Sequence, residues 1–186
     1  IDGMRLDEMY PSLVDWIHPV VDTDEALPPR ATARFGAGRA GVDREECGNG
    51  HCGVDLPGPI GRPIVAVADG VVVRVERSEE GRDGRSGRYV RIQHADGTLT
   101  AYMHLDSIIE GLQVGDHVDG GQQIGTLGAS AIHASAPHCH FSLELPKELG
   151  SYGDLINTHY VDPAPFLVRA SIAHTADRRH PVKPAF

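Results

Sequence analysis

The chain has 186 residues, 40% of them hydrophobic, and a formal net charge of -9 at pH 7. That length supports one principal core, and the acidic balance argues against a phosphate-backbone partner, which would need clustered Lys and Arg on a basic face. No stretch approaches the roughly 18 uninterrupted apolar residues that span a bilayer; the longest apolar run, Ile64 to Val75, is broken by Asp69, Gly70 and Arg74.

Residues 1–30 read as an irregular, partly helical lead-in, with a short helix expected over Arg5 to Ile17, interrupted by Pro11. A Pro- and Gly-rich passage follows, from Pro28-Pro29 through Gly36 to Gly41. From Gly53 onward short β-prone runs alternate with Gly, Asp and Pro at close intervals, which predicts an antiparallel all-β domain over residues 31–168. Pro63 to Val67, the Asp69-Gly70 turn and Val71 to Val75 predict one hairpin. Tyr89 to His94, Asp96-Gly97 and Leu99 to His104 predict a second, with His104 at a strand end. Between them, Glu79 to Gly87 reads as a solvated loop without a site. Gly111 to Gly128 carries six glycines among Val114, Val118, Ile124 and Leu127, a pattern of short strands and tight corners. Another strand is expected over His138 to Leu145, then a surface excursion over Pro146 to Thr158. Val161 to Leu167 reads as extended around its two prolines, and residues 169–186 as a loosely held tail.

Alternation along a strand puts His138 and His140 on one face, with Ser142 and Glu144, and sends Cys139, Phe141, Leu143 and Leu145 to the core. Two imidazoles can then share one site. His51 and Asp55 are four apart around Gly53, where a flexible backbone can bring nitrogen and carboxylate oxygen onto the same ion. Either pair alone more often marks ordinary polar groups; their joint occurrence is the signal.

The order His51-x-Gly-x-Asp55, Tyr102-x-His104-Leu105 and Pro137-His138-x-His140-Phe141 resembles the lysostaphin and LytM-type zinc metallopeptidases, which cleave peptide bonds in bacterial cell walls. The stretches Gly58 to Asp69, Val114 to Val118, Gln123 to Gly125 and Val161 to Pro163 also match, so the resemblance covers roughly residues 30 to 168. It implies a two-sheet antiparallel sandwich like the family's duplicated hybrid motif. It also implies one Zn2+ held by His51, Asp55 and His140, with His104 and His138 as catalytic residues beside the water. One of the two would accept the water proton and the other would hydrogen-bond the developing oxyanion, with the assignment between them open. A peptidoglycan peptide is the implied substrate, by cleavage of a glycine bridge or a D-amino-acid cross-link, in a periplasmic or secreted monomer. Two alternatives stand beside it: a non-catalytic activator of another wall hydrolase, and a zinc peptidase acting on a protein or dedicated peptide. In some relatives a segment before the catalytic domain blocks the metal, a role open here to Asp22, Asp24 or Glu25.

Cys47 and Cys52 flank His51 and, with Cys139, make three cysteines. A Cys47–Cys52 disulfide would suit an extracytoplasmic protein and brace the His51 loop. The competing structural zinc site built from all three is opposed by alternation, which turns Cys139 away from the histidine face. His94, His117, His133 and His159 have no matched role and default to surface or supporting positions, although His133 lies in the loop leading to the histidine strand.

Overall fold

The computed structural model describes residues 5–38, 51–133, 135–146 and 158–178. Nine strands occur among them: β1 Val54–Pro57, β2 Pro63–Val65, β3 Gly70–Glu76, β4 Arg88–Gln93, β5 Leu99–Ile108, β6 His117–Val118, β7 Gln123–Leu127, β8 His138–Pro146 and β9 Thr158–Val161. Every ladder between them is antiparallel, in the order β1-β8-β5-β4-β3-β6, with β9 on β8 and the β2–β7 pair joined through β5. The expectation of a mostly antiparallel β fold therefore holds. Short helices, α1 Leu6–Met9, α2 Ala164–Val168 and α3 Thr175–Arg178, sit outside the strands, and none among the described residues is long and apolar enough to cross a membrane.

β5 organises the fold by serving two partners in succession. Leu99 to Met103 pair with β8, and Leu105 to Ile108 pair with β7. His104 stands at the change of partner with a φ of 62°, in the left-handed region that a non-glycine residue rarely adopts. It lies inside the strand, not at its end as the sequence suggested. The hairpin around Asp96-Gly97 forms as expected, with β4 paired to β5.

The hairpin expected around Asp69-Gly70 does not form. One edge of β2 pairs with β7, and the lead-in occupies the other: Val65 N–H donates to Pro19 O at 2.9 Å, Val21 N–H donates to Pro63 O at 3.2 Å, and Val20 bridges Ile64. Having no free edge, β2 cannot meet β3, which pairs with β4 and β6 instead. Gly70 serves close approach, since a Cβ there would lie 2.6 Å from Ile92 Cγ2. The segment around Pro163 and Pro165 also differs from the extended chain expected, for it turns into α2. Both prolines fall at the helix start, where a missing N–H costs no hydrogen bond.

The lead-in is part of the core. The short helix expected over Arg5 to Ile17 is broken at Pro11 into α1 and a 3-10 turn at Pro11–Leu13. Tyr10, Leu13, Trp16, Val20 and Val21 are buried. Trp16 packs edge-on to Phe141 of β8 at 5.5 Å and against Phe166 of α2 at 5.5 Å, while its indole N–H donates to Ser12 O at 2.8 Å. Asp22, open to a metal-blocking role on sequence, is engaged elsewhere by His174 and Thr175.

Candidate metal centre

Asp55 of β1 stands directly opposite His140 of β8 in the ladder, and Met103 of β5 faces His140 from the other side. This register brings a carboxylate and an imidazole together with no loop contribution. His51 enters from the loop ahead of β1. Its backbone N–H donates to Ala37 O at 2.9 Å, and its carbonyl accepts from Gly36 N–H at 2.8 Å. Gly53 permits the approach, because a Cβ there would lie 2.3 Å from Phe141 O and 3.0 Å from His140 Nε2.

His51, Asp55 and His140 form a group able to hold a metal ion. His51 Nε2 and His140 Nδ1 are 3.0 Å apart, His140 Nδ1 and Asp55 Oδ1 2.9 Å, and His51 Nε2 and Asp55 Oδ1 3.1 Å. Bonds of about 2.0–2.1 Å to a tetrahedral ion would hold neighbouring ligand atoms about 3.3 Å apart, close to this triangle. Protons alone satisfy it poorly. His51 Nδ1 faces the Arg34 carbonyl at 3.1 Å, and a carbonyl only accepts, so Nδ1 carries the proton and Nε2 brings a lone pair. Three electron-rich atoms thus converge with at most one N–H among them when both rings are neutral, a donor set that fits a cation.

The same device orients the other two histidines. His104 Nδ1 donates to Ser130 O at 2.8 Å and His138 Nδ1 to Ala136 O at 2.9 Å, which leaves Nε2 of each as an acceptor. His138 Nε2 is 3.5 Å from Asp55 Oδ1. The His104 ring centroid lies 5.1 Å from that of His138 and 6.3 Å from that of His140. Ser130 is fixed in turn, receiving Arg88 N–H at 2.9 Å and donating to Leu105 O at 2.8 Å. All five residues singled out in the sequence therefore meet around one point.

Burial and hydrogen bonding compete to set the charge states. It pushes the Asp55 carboxyl up, but hydrogen bonds from His140 and His51 and the neighbouring imidazoles together hold it well below the usual carboxylate range. Burial lowers His140 despite the raising effect of Asp55. His104 is lowered to about 4, mainly by burial, with His138 and His140 adding to it against the bond to Ser130. An ionised Asp55 beside a His140 ring that resists protonation is the state a metal requires of its ligands.

Cys139 is a free, fully buried thiol raised by burial, on the core face of β8, and Cys52 is disulfide-bonded. A three-cysteine metal site is thereby ruled out; Cys47 lies outside the described residues. Tyr102 is a buried aromatic whose hydroxyl accepts Val67 N–H at 3.1 Å and meets Thr100 Oγ1 at 2.8 Å. His94 is buried, not superficial, between Asp69 O at 2.7 Å and Thr100 Oγ1 at 2.9 Å. A groove of about 1120 Å³ runs over the centre, with Glu25, His133, Arg91, Ser142 and Tyr160 among its walls. Sequence reasoning missed the carbonyls of Arg34, Ser130 and Ala136, which leave no signature in residue type. It also missed Arg91 as a groove residue, whereas Ser142, assigned to the polar face by alternation, does line the groove.

The donor set is that of a metal-binding centre, and residues 49–163 match the model of peptidase family M23. The chain belongs to that family. It is 38% identical over 91 residues to the peptidoglycan DD-endopeptidase ShyC of Vibrio cholerae, covering 49% of this chain and 19% of that protein. It is 36% identical over 95 residues to the DD-carboxypeptidase/endopeptidase Mpg of Neisseria meningitidis, covering 51% of this chain and 20% of that protein. The chain thus spans about a fifth of the length of these curated relatives. Among solved structures it resembles the catalytic domain of the antimicrobial peptidase lysostaphin from Staphylococcus simulans, with a TM-score of 0.54 and 30% identity over 73% of this chain and 89% of that one. A zinc-containing peptidase from Vibrio cholerae gives a TM-score of 0.57 at 26% identity, over 81% of this chain and 39% of that one.

Proposed function

We propose that residues 31–168 form the catalytic unit of a zinc endopeptidase that hydrolyses peptide cross-links or stem peptides of bacterial peptidoglycan. The observation that carries this reading is the triangle of His51, Asp55 and His140 ligand atoms flanked by His104 and His138, whose tautomers are set by main-chain carbonyls. His51 Nε2, Asp55 Oδ1 and His140 Nδ1 would hold the ion. Bound there, zinc supplies a Lewis acid that polarises the scissile carbonyl and acidifies water.

The remaining work belongs to the chain. His104 and His138 each present Nε2 as a proton acceptor, and either can take the proton of the attacking water. Once protonated, the same atom donates to the leaving amine or to the oxygen that gains charge. The backbone at His104, held left-handed by the change of β5 partner, sets the ring's position before substrate arrives. The peptidoglycan substrate rests on the names of the relatives in Vibrio and Neisseria. An extracytoplasmic location is supported by the disulfide at Cys52, which an oxidising compartment favours. The test is to digest purified peptidoglycan with metal-loaded protein and look for new amino termini by mass spectrometry. A digest that stays unchanged rejects the reading.

A further inference from the structure

The groove does not end at the metal ligands. Two residues beyond His140 on the same face of β8 comes Ser142, about 6.6 Å along the strand, and two further on comes Glu144. Ser142 pairs with Ala101 of β5, and Ala101 pairs with Arg91 of β4, so Arg91, Ala101 and Ser142 form one cross-strand row beside the Met103–His140 row. The small side chain of Ala101 leaves room for Arg91 to reach across it, where its Nη2 pairs with Glu144 Oε1. Tyr160 of β9 stands opposite Glu144.

Two polar atoms in this row lack any hydrogen-bond partner, Arg91 Nε and Ser142 Oγ. Both residues line the groove, and both are buried, Arg91 at 9% exposure and Ser142 at 1%. A buried polar atom left unpaired costs about 1–3 kcal/mol, and neither atom has a hydrogen-bond partner among the described residues. Elsewhere on the same strand and its neighbours the polar groups are paired: His138, His140, Asp55 and Glu144 all have partners.

We infer that Arg91 and Ser142 form a specificity subsite that accepts a carboxylate on a substrate residue close to the bond cleaved. Two donors, a guanidinium Nε–H and a hydroxyl, call for a group that only accepts, and a carboxylate is the strongest of these. Glu144 holds the far end of the guanidinium, which leaves Nε unpaired and keeps the buried cation neutralised while the subsite is empty. Strand spacing puts the subsite within about two residues of the reacting bond for a substrate lying extended along β8. The inference rests on the peptidase reading for its substrate and deepens it: the preferred peptides carry a free carboxylate there, and a carboxamide in its place is discriminated against.

The test uses one pair of short peptides, identical but for a free carboxylate or a carboxamide on the residue beside the scissile bond. They are assayed with the metal-loaded wild type, Ser142→Ala and Arg91→Lys. Ser142→Ala removes a buried hydroxyl that bonds to nothing, so the melting temperature should stay at or rise above that of the wild type and bound metal should match it. Arg91→Lys keeps a cation for Glu144 but loses the Nε–H. The wild type should bind and cleave the acid at least about ten-fold better than the amide, and each variant should bring that ratio toward one. Dissociation constants measured by calorimetry read the subsite even when nothing is cleaved, so failure of the peptidase reading appears as binding without turnover. An acid-to-amide ratio near one in the wild type, or one unchanged in both variants, overturns the inference.

Discussion

Gly53→Ala tests how tightly the metal centre is built into the ladder. The added Cβ would sit 2.3 Å from the Phe141 carbonyl oxygen and 3.0 Å from His140 Nε2, whereas real Cβ contacts essentially never fall below 3.0 Å. Neither neighbour can swing aside: Phe141 O belongs to the β8 backbone and is flanked by the β1 and β5 ladders, and the His140 ring is held by Asp55. The loop carrying His51 and the strand carrying His140 must therefore separate by about 0.7 Å at the point where both serve one ion. Overpacking of this kind costs about 1–3 kcal/mol in stability, and a displacement near 1 Å at a reacting centre costs about 100-fold in rate. We expect a lowered melting temperature, zinc affinity reduced at least ten-fold by competition with a chromogenic chelator, and a larger loss of turnover. Wild-type zinc affinity and activity in the Gly53→Ala protein would refute the claim that close approach at this glycine sets the ligand triangle.

Five further outcomes are expected. His51→Ala and His140→Ala should lose both bound metal, read by elemental analysis, and turnover. His104→Ala and His138→Ala should retain metal while turnover falls about 10²–10⁴-fold; metal loss in His138→Ala would mean that the ligand and catalytic roles within the pair are reversed. Trp16→Ala should cost about 3–5 kcal/mol in denaturant unfolding, and deleting residues 1–30 should lower activity, because Tyr10, Leu13, Trp16, Val20 and Val21 would leave the core; higher activity after deletion would restore a blocking role for the segment. Burial lowers His94 and His18 from 6.5 in the folded state, so below about pH 6.5 the unfolded chain binds protons that the folded chain refuses. Stability should be fully present above that pH and fall as pH drops through it, and metal-free protein melted at pH 8 and pH 5 should show the difference.

The site was more legible in the sequence than its supports. Alternation alone assigned the two faces of β8, because strand geometry fixes side-chain direction from spacing, and Cys139 and His140 fall as that rule requires. The pairing of β2 was not legible, since Asp-Gly favours a hairpin locally while the lead-in and β7 had already taken both edges of the strand. Tertiary competition of that kind leaves no mark on a local turn signal. The carbonyls that fix the tautomers of His51, His104 and His138 are main-chain atoms, and any residue supplies one. Arg91 reads as an ordinary polar strand residue until the register places it over Ala101 and against Glu144.

The proposed function requires His51, Asp55 and His140 to hold a zinc ion on which peptidoglycan cleavage depends. Its most direct test is a single digestion of purified peptidoglycan by the protein as isolated, after chelation, and after zinc is restored, with new amino termini identified by mass spectrometry. The account predicts cleavage that disappears with the metal and returns with it. Undiminished cleavage by the metal-free protein, or none by a fully zinc-loaded one, would contradict it.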